Sequence, residues 1–372
     1  MVCSQWENSQ KKEEYTNTIR NQHGGMDMRT IKWIIIGGLA AIVVLLAGCE
    51  KKEMAVADTV ETEIVEEVEV NQEDETVVDE YWSQTIDSEI CKTVGECRDL
   101  GDEYGSEHFS DFRRGLERSN EMWNLNVATE DDEYSLAEFD WEDEDLIIAR
   151  YEIIEDDLVL TKGEERTIFK GIPDLVYALY DRSKVNFQIL DFREDVYPHV
   201  IVQDGKLGMP SNWLERWFQF DTVTTVIHEY GHLLTLNRDD LVMSDTCPAN
   251  QFHLKWYEEC YNANSYMNLF YQSFLTEYGE QWLHAGYESV EERIAFYEKN
   301  KGSFVTTYAT VGASEDIAES FSFFMLTPYN DSPQTVAEEK SNFFYQFPEL
   351  VEYRAFVLKE LKDRKDEMWS FY

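Results

Sequence analysis

The stretch TVIHEYGHLL, residues 225 to 234, restricts this chain more than any other, because two histidines four apart on a helix share one side of it. Projected at about 100° per residue, Val223, Ile227, Tyr230 and Leu234 fall together on an apolar side. His228 and His232 lie opposite, with Glu229 beside them. That spacing lets two imidazole nitrogens approach one ion at the roughly 2.0 to 2.1 Å typical of zinc. Asp221 or Thr222 suits the helix cap, and Gly231 leaves room beside an ion. An exposed helix face would tolerate the same letters; the apolar stripe and the signs of export described below favour the metal.

A zinc ion that performs chemistry takes three protein ligands and keeps one position for water. The stretch TTYATVGASEDIAESFSFFM, residues 306 to 325, supplies a second helix with Ile317, Phe321 and Phe324 for the core and a small Ala318. Glu315 and Glu319 are four apart on it, so helical periodicity does not choose between them. Asp316 and His284 are further candidates for the third ligand.

Charge excludes one class of partner. The chain of 372 residues carries 75 acidic against 32 basic residues, a net −43, which repels nucleic-acid phosphates and anionic membrane surfaces and attracts cations or basic peptides. With 43% hydrophobic residues it still has enough apolar material for a substantial core.

From Trp33 to Gly48 the chain reads WIIIGGLAAIVVLLAG, after Arg29 and Lys32 and before Cys49. This run is shorter than the roughly 20 residues that cross a bilayer comfortably, and it suits the apolar region of a signal peptide. Leu46-Ala47-Gly48-Cys49 resembles the lipobox of bacterial lipoproteins, which implies a mature chain starting at a lipidated Cys49 and anchored outside the cytoplasm. Met26 or Met28 is the natural start of so short a leader. The acid-rich segment that follows, ETEIVEEVEVNQEDETVVDE, repels itself and has few large apolar groups to bury, so it reads as an extended tether. The expected organisation is a leader over 1–48, a tether over 49–100, the N-terminal part of the exported portion over 101–144 and a catalytic part over 145–372.

Strands are expected at 145–154, 157–161, 185–192 and 199–205, with a helix at 172–183 whose first turn holds Pro173. Helices dominate beyond the histidine motif. The expected fold class is α+β, a mixed β-sheet and the motif helix followed by a helical C-terminal lobe. Four cysteines remain for pairing in an exported chain: Cys91, Cys97, Cys247 and Cys260. Three pairings are possible, and short loops favour Cys91 with Cys97 and Cys247 with Cys260.

His228-Glu229-x-x-His232 with a later Glu-x-x-Ala-Glu helix resembles the gluzincin metallopeptidases, particularly the branch of anthrax lethal factor and the Pro-Pro endopeptidases. In that branch a tyrosine stands seven residues before the glutamate ligand, as Tyr308 stands before Glu315. The resemblance covers roughly 145–372 and implies a zincin-like fold, one Zn²⁺ per chain held by His228, His232 and Glu315, and a peptide or protein substrate. It further implies Glu229 as general base, Tyr308 as an aid to the transition state, Glu319 supporting a histidine, and the 199–205 strand as a sheet edge for an extended peptide. A longer gap between His232 and Glu315, holding two cysteines, departs from those relatives and bears on the substrate pocket. A non-catalytic zinc lipoprotein and a zinc amidase acting on cell-wall peptides are the rival expectations.

Overall fold

Aromatic residues end the acidic run earlier than charge density suggests. Tyr81 and Trp82 meet edge-on, and Trp82 packs against Tyr329 at 5.5 Å and beneath the Arg98 guanidinium at 4.4 Å. Thr93 then caps helix α1, Val94–Gly105, its side chain accepting from the Glu96 amide. Cys91 is joined to Cys97, and Cys247 to Cys260, the local pairing expected. The first pair is buried, and α1 lies against the C-terminal helix, where Arg354 reaches Asp102 at 2.7 Å. Residues 80–100 therefore belong to the folded body, which corrects the tether boundary placed at 100. The computed structural model describes residues 80–364 except 127–142, 165, 170, 195–197, 215–218, 245–246, 249, 255–258, 280–281 and 284–289. The leader, Cys49 and the acidic run before residue 80 lie outside the described residues.

Helix α2 spans Phe109–Asn126. Strand β1, Ile147–Ile154, buries Ile147, Ala149 and Tyr151 in alternation and returns as β2, Asp157–Gly163. Glu155 and Asp156 make the turn, both at positive φ, as a two-residue hairpin whose twist matches its strands requires. Helix α3, Ile172–Leu179, has Pro173 in its first turn. It stops short of the expected 183 because the Asp181 carboxylate accepts from the Ser183 amide and draws the chain into a turn.

The expected strand at 185–192 begins only at Ile189, as β3, Ile189–Arg193. HVIVQDG yields a short β4, His199–Ile201, a 3-10 turn and Gly205 at φ 60°, and the chain re-enters the sheet as β5, Lys206–Pro210. KLGMP has no strand pattern in sequence, yet β5 lies between its neighbours in the order β2-β1-β3-β5-β4. β3 and β5 run parallel, and the other pairs are antiparallel. β4 thus forms one edge of the sheet.

The motif helix α4 spans Gln219–Thr235. A small sheet absent from the sequence reading follows, β6 (Leu241–Met243), β7 (His253–Leu254) and β8 (Glu259–Tyr261), tied by the Cys247–Cys260 bond. Then come α5 (Tyr266–Phe270), α6 (Val290–Lys299), α7 (Ala313–Leu326), α8 (Val336–Asn342) and α9 (Pro348–Asp363). A mixed sheet followed by a helical half is the α+β arrangement expected. All described residues belong to one compact unit, and α2 packs on both α4 and α7, so no boundary falls at residue 145. Among the described residues no helix is long and apolar enough to cross a membrane.

Candidate metal centre

Val223, Ile227, Tyr230 and Leu234 are buried as their spacing requires, but so is every other residue of α4 from Asp221 to Thr235. α2 and α7 cover the face that carries the histidines, leaving His228 2%, Glu229 4% and His232 7% exposed. An ordinary surface helix is thereby excluded. Asp221 sits inside the helix, and its carboxylate accepts from Arg118 at 2.9 Å instead of capping. Gly231 faces away from the role given to it: a Cβ there would come within 3.3 Å of the Ala318 Cα and 3.1 Å of the Phe321 ring. The pair Gly231 and Ala318 lets α4 and α7 approach closely, and that approach brings Glu315 to the histidines.

His228 Nε2 lies 3.0 Å from His232 Nε2, and each lies 3.2 Å from Glu315 Oε2. These separations are close to the roughly 3.3 to 3.4 Å between atoms that ligate a tetrahedral ion at about 2.0 to 2.1 Å. His228, His232 and Glu315 thus form a group able to hold a metal ion, with all of its ligand atoms within 4.8 Å of one another. The donor chemistry agrees, for two imidazoles and a carboxylate suit a divalent transition ion. Glu315 stands in the first turn of α7, where the helix dipole favours a carboxylate.

Around this triangle the remaining acids separate by role. Glu319 Oε1 accepts from His228 Nδ1 at 2.8 Å, which turns Nε2 of that ring toward the triangle. Its other oxygen accepts from the Thr306 hydroxyl at 2.6 Å, and Thr306 Oγ1 in turn accepts from the Ala309 amide at 3.1 Å. Nothing in the sequence singled out Thr306; its partner is thirteen residues away and the bond exists only once the turn before α7 is folded. Among the described residues the buried His232 Nδ1 has no such support. Asp316 is no ligand, because it points the other way and meets Lys340 at 2.5 Å with both side chains fully buried. His284 lies outside the described residues. Lys340→Met is expected to cost about 3 to 5 kcal/mol, the cost of stranding a buried partner. Thermal unfolding of the single variant, and of Lys340→Met with Asp316→Asn, checks this: recovery in the double variant is the expected sign of the pair.

Tyr308 begins a 3-10 turn, Tyr308–Val311, whose start is held by the Tyr308 amide donating to Asn120 of α2 at 2.9 Å. Its ring centre is 6.0 Å from that of His228. Burial, joined by the Glu315, Glu229 and Glu319 carboxylates, pushes the Tyr308 phenol well above its ordinary range, so it remains a proton-bearing donor at neutral pH. Burial raises Glu229 as well, partly offset by the two histidines. For Glu315 burial acts upward, but His232 and His228 outweigh it and hold the carboxyl well below the usual range. Burial would lower His228, yet Glu315 and Glu319 raise it to about 10, so a proton competes with a cation for this anionic pocket.

No family model, curated protein or solved structure matches the chain. The assignment of the site therefore rests on its geometry, which brings together His228, Glu229, His232, Tyr308, Glu315 and Glu319 from two separate stretches of sequence.

Proposed function

We propose that the chain is an extracytoplasmic zinc-dependent endopeptidase of zincin-like architecture, held at a bacterial membrane through lipid on Cys49. The observation that carries the catalytic reading is a triangle of three possible ligands with a buried glutamate beside it that makes no hydrogen bond or ion pair among the described residues. A purely structural zinc site usually fills four positions with protein ligands and has no use for such a base.

Zinc, held by His228, His232 and Glu315, would supply Lewis acidity and bring the pKa of a coordinated water toward about 7. Glu229 takes the proton of the attacking water on its carboxylate and later passes it to the leaving amine; its burial-raised affinity for protons suits both transfers. Tyr308 donates its phenolic proton in a hydrogen bond to the oxyanion that develops on the peptide carbonyl. Glu319 and Thr306 hold the His228 ring at one tautomer and orientation. Edge strand β4 packs near α4, and an extended peptide adding to it would lie beside the triangle.

Purified ectodomain incubated with protein, peptide and peptidoglycan substrates, with and without chelator, tests the reading. Chelator-sensitive cleavage of peptide bonds within polypeptides is expected, together with about one zinc per chain by elemental analysis. Cleavage confined to cell-wall peptides would make it an amidase, and zinc without turnover would make it a binding lipoprotein. For the anchor, Cys49→Ala is expected to abolish labelling by radiolabelled palmitate and to shift the protein from the membrane to the soluble fraction, since two or more acyl chains are what make attachment stable.

A further inference from the structure

Tyr308, the oxyanion donor of the proposed mechanism, stands on a short turn whose ends are secured from outside. Tyr308–Val311 is four residues of 3-10 helix, a form whose own hydrogen bonds are few and poorly aligned. Thr307, just before it, provides no side-chain cap. The backbone groups at both ends are answered by other parts of the chain. At the head the Tyr308 amide donates to Asn120 Oδ1 at 2.9 Å and the Ala309 amide to Thr306 Oγ1 at 3.1 Å. At the tail the Thr310 carbonyl accepts from Trp282 Nε1 at 2.8 Å.

Asn120 and Trp282, which reach the turn from a distance in sequence, are each fixed in their own right. Asn120 follows two residues that latch α2 to α4: the Arg118 guanidinium donates to Asp221 at 2.9 Å, and the Ser119 hydroxyl hydrogen-bonds that of Thr224 at 3.0 Å. Thr224 precedes His228 by one helical turn, so α2 bridges the histidine helix and the backbone of the tyrosine. Trp282 is 2% exposed, and its ring packs against Tyr278 at 4.8 Å, Phe304 at 5.4 Å and Phe296 of α6 at 5.6 Å. Both grips are on main chain, and the Tyr308 ring they carry is half-buried. Precision matters here, because a misplacement of about 1 Å in a group that stabilises a transition state can cost roughly 10²-fold in rate. A four-residue turn without a cap of its own does not supply that precision.

We propose that Asn120 and Trp282 are positioning residues for the reaction, setting the Tyr308 ring relative to the metal triangle by holding the two ends of its turn. The inference rests on the peptidase reading and on Tyr308 as donor to the oxyanion. Asn120 falls outside 145–372, the stretch covered by the family resemblance, so the machinery of this chain extends into its N-terminal part.

A double-mutant cycle on the zinc-loaded protein tests it, with Asn120→Leu, Trp282→Phe and Tyr308→Phe made alone and in pairs. Steady-state kinetics are read on a peptide that the wild type cleaves, and zinc content and thermal unfolding are measured for each variant. Tyr308→Phe is expected to lower kcat by about 10²- to 10³-fold, the usual loss for one oxyanion donor. Asn120→Leu keeps nearly the same size without the acceptor, and Trp282→Phe keeps a packed ring without the N–H. Each is expected to lower kcat by roughly ten- to hundredfold, with KM within about twofold and zinc retained. In the Tyr308→Phe background the same two changes should lower kcat by less than about threefold, because the group they place is already gone. A residue that only supports the fold would cut the active fraction by the same factor in both backgrounds. Equal losses in the two backgrounds would overturn the proposal and leave the peptidase reading standing; near-normal kcat in a folded single variant would remove that residue from it. Should Asn120→Leu not fold, Trp282→Phe decides from the other end of the turn. Full turnover in Tyr308→Phe, or a wild type that cleaves no peptide, would remove the underlying reading and this inference with it.

Discussion

Glu229→Gln is expected to keep about one zinc per chain and to lose peptide hydrolysis by about 10²- to 10⁴-fold, the usual contribution of a positioned general base. The substitution is nearly isosteric and leaves the ligand group intact, because among the described residues that group is His228, His232 and Glu315. It also removes a buried acid that burial already disposes to carry a proton, so folding should be little affected. A loss confined to kcat, with elemental analysis and thermal unfolding unchanged, is the pattern of a group acting only in the transition state. Near-normal turnover would remove Glu229 from the mechanism; loss of zinc along with activity would mean that it holds the ion or the helix together instead.

The contrast between what the sequence announced and what it hid follows from the range of the interactions. His228 and His232 share one α-helical turn, so a local periodicity was enough to pair them. Glu315 and Glu319 also share a turn, and for that reason local periodicity could not assign them: the difference between touching Nε2 and touching Nδ1 of His228 is set by how α7 sits on α4. That seating depends on Gly231 meeting Ala318 across 87 residues of chain, the same separation that joins His228 to Glu315. β1 and β2 were legible from apolar alternation, whereas β5 owes its place to its two neighbours and little to its own residues. In α1 and the residues before it, a high density of acids concealed an aromatic and disulfide anchor that holds the segment to α9. Asp316 could be ruled out only once Lys340, fully buried beside it, was in place.

The two glutamates of α7 should part company under substitution, and the order of their effects decides the site. Glu315→Ala removes one of three ligand atoms and leaves two imidazoles, so zinc should be lost on gel filtration or against a weak chelator, with cleavage lost in proportion. Glu319→Ala leaves all three ligand atoms but frees the His228 ring, and loss of such a supporting carboxylate typically lowers metal affinity by about 10- to 100-fold. It also strands the Thr306 hydroxyl and His228 Nδ1 in a buried place, so Glu319→Ala should be the less stable of the two proteins. Glu319→Gln separates these effects, because the amide oxygen can still accept from Nδ1 while its NH₂ group donates to Thr306, whose hydroxyl can reverse its role. Zinc affinity measured by chelator competition should therefore fall in the order wild type, Glu319→Gln, Glu319→Ala, Glu315→Ala. If Glu319→Ala loses more zinc than Glu315→Ala, the ligand and its support have been assigned the wrong way round, and the triangle must be redrawn through Glu319.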